Sequence, residues 1–501
     1  MQTILGLFLA LAVRVANQQD FDALQTRIDS LLHRGEQRIE VLLEPGTYFF
    51  REGHLRLSDY DVPEVEIRIA GRDVILVADD NGRGYHWENG YVDLERLRPV
   101  DVRNPVRQAG FWPVPCLFQR GLYKIPCQDL DLEKEEAAGV RVILSQWFFG
   151  AVYDVEKIQN GWLYFRKTER GRTRLWSELR FGRCRPRYIL CLPPKRTDLH
   201  TCTESAFLQV KDCHLKSFSL EGITFLGNGA GNPLLSVTHV QADTVRVSDC
   251  RFEGLRSQGI EVKGTDHFIL MNSLFRKCFL GAVQLSADTR DAQVQGNRFL
   301  DNGIQMTNAP IVLCQGEDFV IRGNYFEDFA YAAIGVGLHF TDSAGCVCSG
   351  KVEENEICMS ESFRQGVPRE LIDGGAIYVW TQNRDVHIRR NYIHDIDGPH
   401  GNRGIFADDG AVNVDISENL LLNIAGGRGI DLRRAFRVQR KKESVIRKVN
   451  IGNRMEANIL DTRCRFFVRR KDKTSFKGEN RYLPRGYSRE AVVHEWKSLI
   501  R

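Results

Sequence analysis

A short pattern recurs through the middle of the chain and limits what it can fold into. A polar residue, usually Asn, is followed by any residue and then by an apolar one that opens a β-like run. It occurs at Cys250-Arg-Phe252, Asn272-Ser-Leu274, Asn297-Arg-Phe299, Asn324-Tyr-Phe326, Asn355-Glu-Ile357, Asn391-Tyr-Ile393 and Asn419-Leu-Leu421, with spacings of 22, 25, 27, 31, 36 and 28. Between these lie second runs that begin on a small residue: GIEVK at Gly259, AVQLS at Ala282, AIGVG at Ala333, AIYVW at Ala376, GIFAD at Gly404 and GIDLR at Gly429. A period above 20 residues marks units that cannot bury their apolar faces alone and must stack on one another.

Short strands split by turns, at a variable period, predict the coils of a right-handed parallel β-helix, an all-β fold, over residues 206–435. An Asn at the same turn of each coil can form a hydrogen-bonded ladder, which accounts for its recurrence. Variation in the period then belongs to loops. Phe21, Leu24, Ile28 and Leu31 share one helix face, with Asp20 as the expected N-cap. The following VLLEPGTYFF reads as the entry to the first coil, so residues 17–100 form an N-terminal capping helix and first coils. Such a cap shields an open strand edge. Residues 101–205 break the period and carry β-rich runs (Val140–Leu144, Gly161–Phe165, Tyr188–Cys191), as expected of an inserted β-rich subdomain. Residues 436–501 lose the period and read as a basic C-terminal cap.

Composition supports a packed body. Hydrophobic residues make up 43% and charged residues 27%, with 44 Gly and 15 Pro, which excludes disordered and collagen-like chains. Net charge is +4; residues 435–501 hold 19 Lys/Arg against 7 Asp/Glu, so the rest is mildly acidic at −8. That distribution argues against a nucleic-acid partner. No apolar run reaches the roughly 18 residues of a membrane span. The ten-residue run Ile4–Val13 and the small residues Ala10 and Ala12 suit a signal peptide over residues 1–16, hence a secreted or periplasmic protein. The 13 cysteines are an odd number without metal-ligand spacing and read as buried thiols, so no metal is expected from them. A monomer is expected.

Side chains alternate along a strand, so the small-residue family can be sorted by face. Two outward columns follow. One runs Glu261, Gln284, Gly335, Tyr378, Phe406, Asp431; the other runs Lys263, Ser286, Gly337, Trp380, Asp408, Arg433. The rung near 309–315 does not align. The two glycines suggest a shallow vacancy flanked by Tyr378 and Trp380, whose rings suit the apolar faces of sugars. An alternative is that these rings pack beneath a long loop.

Asp408-Asp409 is the leading chemical signal. Adjacent carboxyls repel, which suits one of them to acid catalysis. Asp431 lies one coil on and two positions back, a separation of about 8 Å from the strand spacings. That suits an inverting glycosidase pair, whose carboxyls stand about 6.5–9.5 Å apart. Asp373 reaches the site only if the chain turns a corner before Gly374-Gly375. Arg403 and Arg433 are candidates to hold an anionic group on a substrate, and His339 to line the cleft. His394, Asp395, Asp397 and His400 read as a loop rather than a metal site.

The repeats, VLLEPGTYFF and the stretch DGGAIYVW…NYIHD…NRGIFADDGA (Asp373 to Ala411) resemble the pectin-lyase-like right-handed parallel β-helix superfamily, and within it exported bacterial polysaccharide-active proteins. The resemblance covers about residues 36–95 and 206–435 and implies a polysaccharide or oligosaccharide partner. Polygalacturonases of that superfamily set an Asp-Asp dyad beside further Asp, His and basic motifs, and residues 206–435 here contain neither Gly-His-Gly nor Arg-x-Lys. The expected activity is a glycoside hydrolase that needs no cofactor. The alternatives are a polysaccharide lyase, in which Ca²⁺ would bridge the acidic cluster to a uronate, and a non-catalytic glycan-binding β-helix.

Overall fold

The computed structural model describes residues 11–50, 53–78, 117–119, 122–126, 141–146, 149–160, 162–165, 187–191, 206–227, 233–255, 258–278, 281–303, 310–329, 331–337, 348–366, 374–380, 383–397, 403–408, 411–425, 427–432, 453–461, 465–468 and 476–500. The repeating strands stack in parallel into two sheets, one of 11 strands and one of 23. Each coil contributes one strand to the first sheet and, typically, two consecutive strands to the second. The result is a parallel β-helix. Its 11-strand sheet runs from Leu55–Ser58 to Arg465–Val468, and each small-residue run of the sequence is one of its strands.

Alternation sets the interior. Ile260, Val283, Val312, Ile334, Ile377, Ile405 and Ile430 stand side by side on successive strands and all join the core. In the other sheet Phe225, Phe252, Phe275, Phe299 and Phe326 stack ring on ring, with centroids 4.4–5.2 Å apart. Offset ring stacking adds to the burial that drives folding.

The Asn ladder is present. The side-chain amides of Asn297, Asn324, Asn355, Asn391, Asn419 and Asn458 each donate to the Oδ1 of the next ladder residue at 2.9–3.0 Å, ending at Asn480. One rung of the sequence alignment is corrected. Ser273, not Asn272, occupies the ladder, since its Oγ accepts from Cys250 N–H and its N–H donates to Asn297. Leu274 therefore faces outward beside Arg251, and Phe275 is the inward residue. Asn272 has φ 52°, a turn conformation that Asn tolerates.

The ends also differ from expectation. Helices α1 (Gln18–Asp22) and α2 (Leu24–His33) do cap the first coils, and Phe21, Leu24, Ile28 and Leu31 are buried in the core. The N-cap is Asn17, whose side chain accepts from Asp20 N–H; Asp20 sits in the first turn and accepts from Ala16 N–H. Leu11–Val15, within the expected leader, is a strand paired with Arg38–Leu43. The expected boundary at residue 16 thus falls just after a strand the fold uses, while residues 1–10 lie outside the described residues. Coils continue past residue 435: Arg454–Glu456, Ile459–Leu460, Phe476–Lys477 and Arg481–Tyr482 extend the 23-strand sheet. The 20 residues from 433 to 452 hide the period there. Helix α3 (Glu361–Gly366) lies in the 36-residue repeat, and α4 (Arg489–Leu499) packs Val492 and Trp496 against Tyr392, Leu420, Leu422 and Ile459. The strands described within 101–205 form a separate six-stranded antiparallel sheet.

Candidate active site

The strand register reproduces the first outward column. Glu261, Gln284, Leu313, Gly335, Tyr378, Phe406 and Asp431 are successive neighbours, with Leu313 filling the rung that alignment left open. The second column continues past the strand ends: Trp380 N–H donates to Val336 O and Asp408 N–H donates to Val379 O, which sets Gly337, Trp380 and Asp408 side by side. Two parts of this face differ in kind. Glu261 and Gln284 are half-buried, whereas Tyr378, Phe406 and Asp431 are buried at 4%, 0% and 0% exposure although they point away from the core. Neither ring belongs to the core cluster.

This burial corrects several expectations. Tyr378 is not an open stacking platform. Its ring is walled by Tyr331, Trp380 and Phe406 at centroid distances of 5.5, 4.5 and 4.9 Å. The space beside Gly335 is filled: a Cβ there would overlap Pro310 and approach Trp380 Cζ3 at 2.9 Å. Gly337 has φ 92°, so its glycine answers a backbone need. Arg403 is 1% exposed and is not a surface anchor for an anionic substrate group.

Five polar side chains converge here instead. The Tyr378 hydroxyl donates to Asp408 Oδ2 at 2.7 Å, with Asp408 8% exposed. Arg403 Nε donates to Asp431 Oδ2 at 2.6 Å, and Arg428 Nη1 lies 3.5 Å from the same oxygen. The Arg403 guanidinium also sits 3.8 Å above the Phe406 ring centroid, a cation–π contact. Three adjacent strands (Gly375–Val379, Arg403–Ala407, Arg428–Leu432) place these groups. Of the candidate residues, Tyr378, Trp380, Arg403, Asp408 and Asp431 are brought together. Asp373, Asp409, Arg433 and His339 lie outside the described residues.

Sequence reasoning missed Tyr331, Pro310 and Arg428. Tyr331 lies four residues before Gly335, ahead of the run that begins at Ala333, and Arg428 lies three residues before Asp431, off the two-residue alternation. His394 and Asp395 belong elsewhere. His394 ends the strand Tyr392–His394, and its ring contacts Asp395 at 2.8 Å and Glu356 at 3.3 Å, while Arg489 of α4 reaches Asp395 at 2.7 Å. Those contacts draw Asp395 and Glu356 below the usual carboxylate range and raise His394. They fasten α4 to the side of the coils. Among the described residues no cluster of His, Cys, Asp or Glu is placed to hold a metal, and six cysteines (213, 250, 278, 314, 348 and 358) are buried free thiols. No helix among them is long and apolar enough to cross a membrane.

The chain folds as a right-handed parallel β-helix. Residues 201–440 match the family model described as right handed beta helix region. A solved structure titled glycoside hydrolase is similar over 97% of this chain and 98% of its own, at 13% identity and a TM-score of 0.58. A double mutant of the tailspike protein of E. coli bacteriophage HK620, solved with a pentasaccharide, aligns over 93% of this chain and 62% of its own at 13% identity and a TM-score of 0.41. The A-module of the Azotobacter vinelandii mannuronan C-5 epimerase aligns over 95% and 94% at 11% identity and a TM-score of 0.31. No curated protein sequence matches the chain.

Proposed function

We propose that the protein is a carbohydrate-active enzyme, a glycoside hydrolase that cleaves a polysaccharide or oligosaccharide with carboxyl groups of the Asp408–Asp409 pair. The observation that carries this reading is the investment of buried polar groups outside the core. Tyr378–Asp408 and Arg403–Asp431 are desolvated on the outer face, where apolar side chains would satisfy stability at least as well. Buried, partnered ionisable groups gathered on one surface are the usual setting of acid–base chemistry. The fold likeness to a structure titled glycoside hydrolase is consistent with it. In the hydrolytic scheme one carboxyl protonates the glycosidic oxygen and another activates water. Export to the periplasm or medium belongs to the same reading.

The test is a panel of pectic, hemicellulosic and host glycans with product analysis. New reducing ends that disappear in Asp408→Asn and Asp409→Asn, with turnover lower by about a hundredfold or more and unchanged folding, support the proposal. Products with an unsaturated, ultraviolet-absorbing uronate and chelator-sensitive release would replace it with a lyase. Retention of a glycan without any cleavage would replace it with a binding protein.

A further inference from the structure

We propose that Asp431 is a positioning residue that acts on Asp408 through Arg403, Phe406 and Tyr378, and is not the second carboxyl of an acid–base pair. The inference rests on the reading that Asp408 works on a glycan, and it assigns what the rest of the buried cluster does for that residue.

The contacts form one continuous chain across three strands. Asp431 Oδ2 holds Arg403 Nε at 2.6 Å. The Arg403 guanidinium carbon lies 3.8 Å from the Phe406 ring centroid. Phe406 meets Tyr378 edge to face, 4.9 Å between centroids at 84°. Tyr378 donates to Asp408 at 2.7 Å. Register places Tyr378, Phe406 and Asp431 on neighbouring rungs of one column; Arg403 and Phe406 share a strand, and the other contacts join adjacent strands.

Two arguments remove Asp431 from the chemistry itself. It is 0% exposed, so no substrate oxygen or water on the surface touches it. A carboxyl that trades protons during turnover must also change its charge. Neutralising Asp431 would leave the buried Arg403 guanidinium without this counter-charge, a strongly unfavourable state. Asp431 is therefore held in one place against Arg403. Its carboxylate orients Arg403, the cation fixes the Phe406 ring, and that ring is one wall of the slot that aims the Tyr378 hydroxyl. The end of the chain is Asp408, its most exposed member.

The experiment is a double-mutant cycle on Asp431→Asn and Tyr378→Phe, read two ways. On the glycan identified by the panel, each single change should lower kcat by about a hundredfold, the size expected for a misplaced catalytic group, with KM within about twofold. The double variant should lose no more than the worse single one, because both cut the same chain. Independently of any substrate, the Asp408 carboxyl is followed by ¹³C NMR titration, assigned with Asp408→Asn. Its midpoint should move in the same direction in Tyr378→Phe and Asp431→Asn. Multiplying losses in the double variant, or an Asp408 midpoint untouched by Asp431→Asn, overturn the proposal. Should Asp431→Asn fail to fold, Phe406→Leu breaks the chain without stranding a charge: a moved midpoint supports the coupling and an unmoved one overturns it. If no glycan in the panel is cleaved, the hydrolase reading fails while the titration still decides the coupling.

Discussion

Asp328 is 3% exposed, and its two carboxylate oxygens accept from Ser360 N–H at 2.7 Å and Ser360 Oγ–H at 2.8 Å. Ser360 Oγ in turn accepts from Phe363 N–H, so this carboxylate anchors the start of α3. Burial raises its pKa from 3.8 to about 6; the Ser360 bonds oppose the rise and the charges of Asp301 and Glu327 add to it. The sign follows. A folded-state pKa above the unfolded value means that the protonated form favours folding. This contribution is complete below about pH 4 and is lost as pH rises through about 6. A shift of this size corresponds to about 3 kcal/mol. Asp328→Asn carries no such titration, and its loss of one acceptor is independent of pH. Its stability relative to the unchanged protein should therefore improve by about 2 kcal/mol between pH 4 and pH 7, measured by urea denaturation at both. A gap that stays constant would show that Asp328 does not titrate in this range.

At the scale of strands and turns, the ladder is the device that holds coil to coil. Asn391 is fully buried; it accepts from the backbone and side chain of Asn355 and donates to Val352 O and Asn419 Oδ1. Asn391→Ala leaves two donors of Asn355 without that acceptor. At about 1–3 kcal/mol for each buried group left unsatisfied, the loss should exceed that of a surface change several-fold. Chemical denaturation against Lys351→Ala, an exposed change on the strand Cys348–Glu353, checks it. The ladder was legible because Asn recurs with an apolar residue two places on. It failed at Asn272 because a turn Asn stands next to the ladder Ser273, and sequence alone does not say which residue is the rung. The outward columns were legible because β alternation is strict once Ile377 and Val379, or Ile405 and Ala407, are assigned to the core. Exposure was not legible. Whether an outward Tyr378 faces water depends on what covers it, and that is decided by parts of the chain distant in sequence. The same holds for Arg403 and Asp431, whose pairing needs the stagger between neighbouring coils. The last coils were missed because the 433–452 connection lengthens one ladder step to the 39 residues between Asn419 and Asn458.

For the whole molecule, the two ends of a stacked fold decide whether it stays closed, since each terminal strand offers an unpaired edge. The N-terminal end is finished by α1, α2 and the strand Leu11–Val15. That strand pairs along all of its length with Ile39–Leu43, buries Val13 and Val15, and its Val15 carbonyl accepts from Glu44 N–H and lies 3.0 Å from the Tyr48 hydroxyl. The strand adjoins an apolar run of the kind that export signals use, so one stretch of sequence serves two competing readings. They predict different proteins. A chain that begins at residue 17 lacks the strand and bares the edge of Arg38–Leu43. A chain that begins at residue 11 keeps the closed end. We expect the residue-17 form to melt at a lower temperature and to scatter light on standing, through pairing at the bared edge, while the residue-11 form does neither. Thermal denaturation and light scattering of the two purified forms check this, and equal behaviour would show that α1 and α2 close the end by themselves. Sequencing the N-terminus of protein recovered from periplasm or medium then connects stability to export: a start at or before residue 11 would let the leader and the strand coexist.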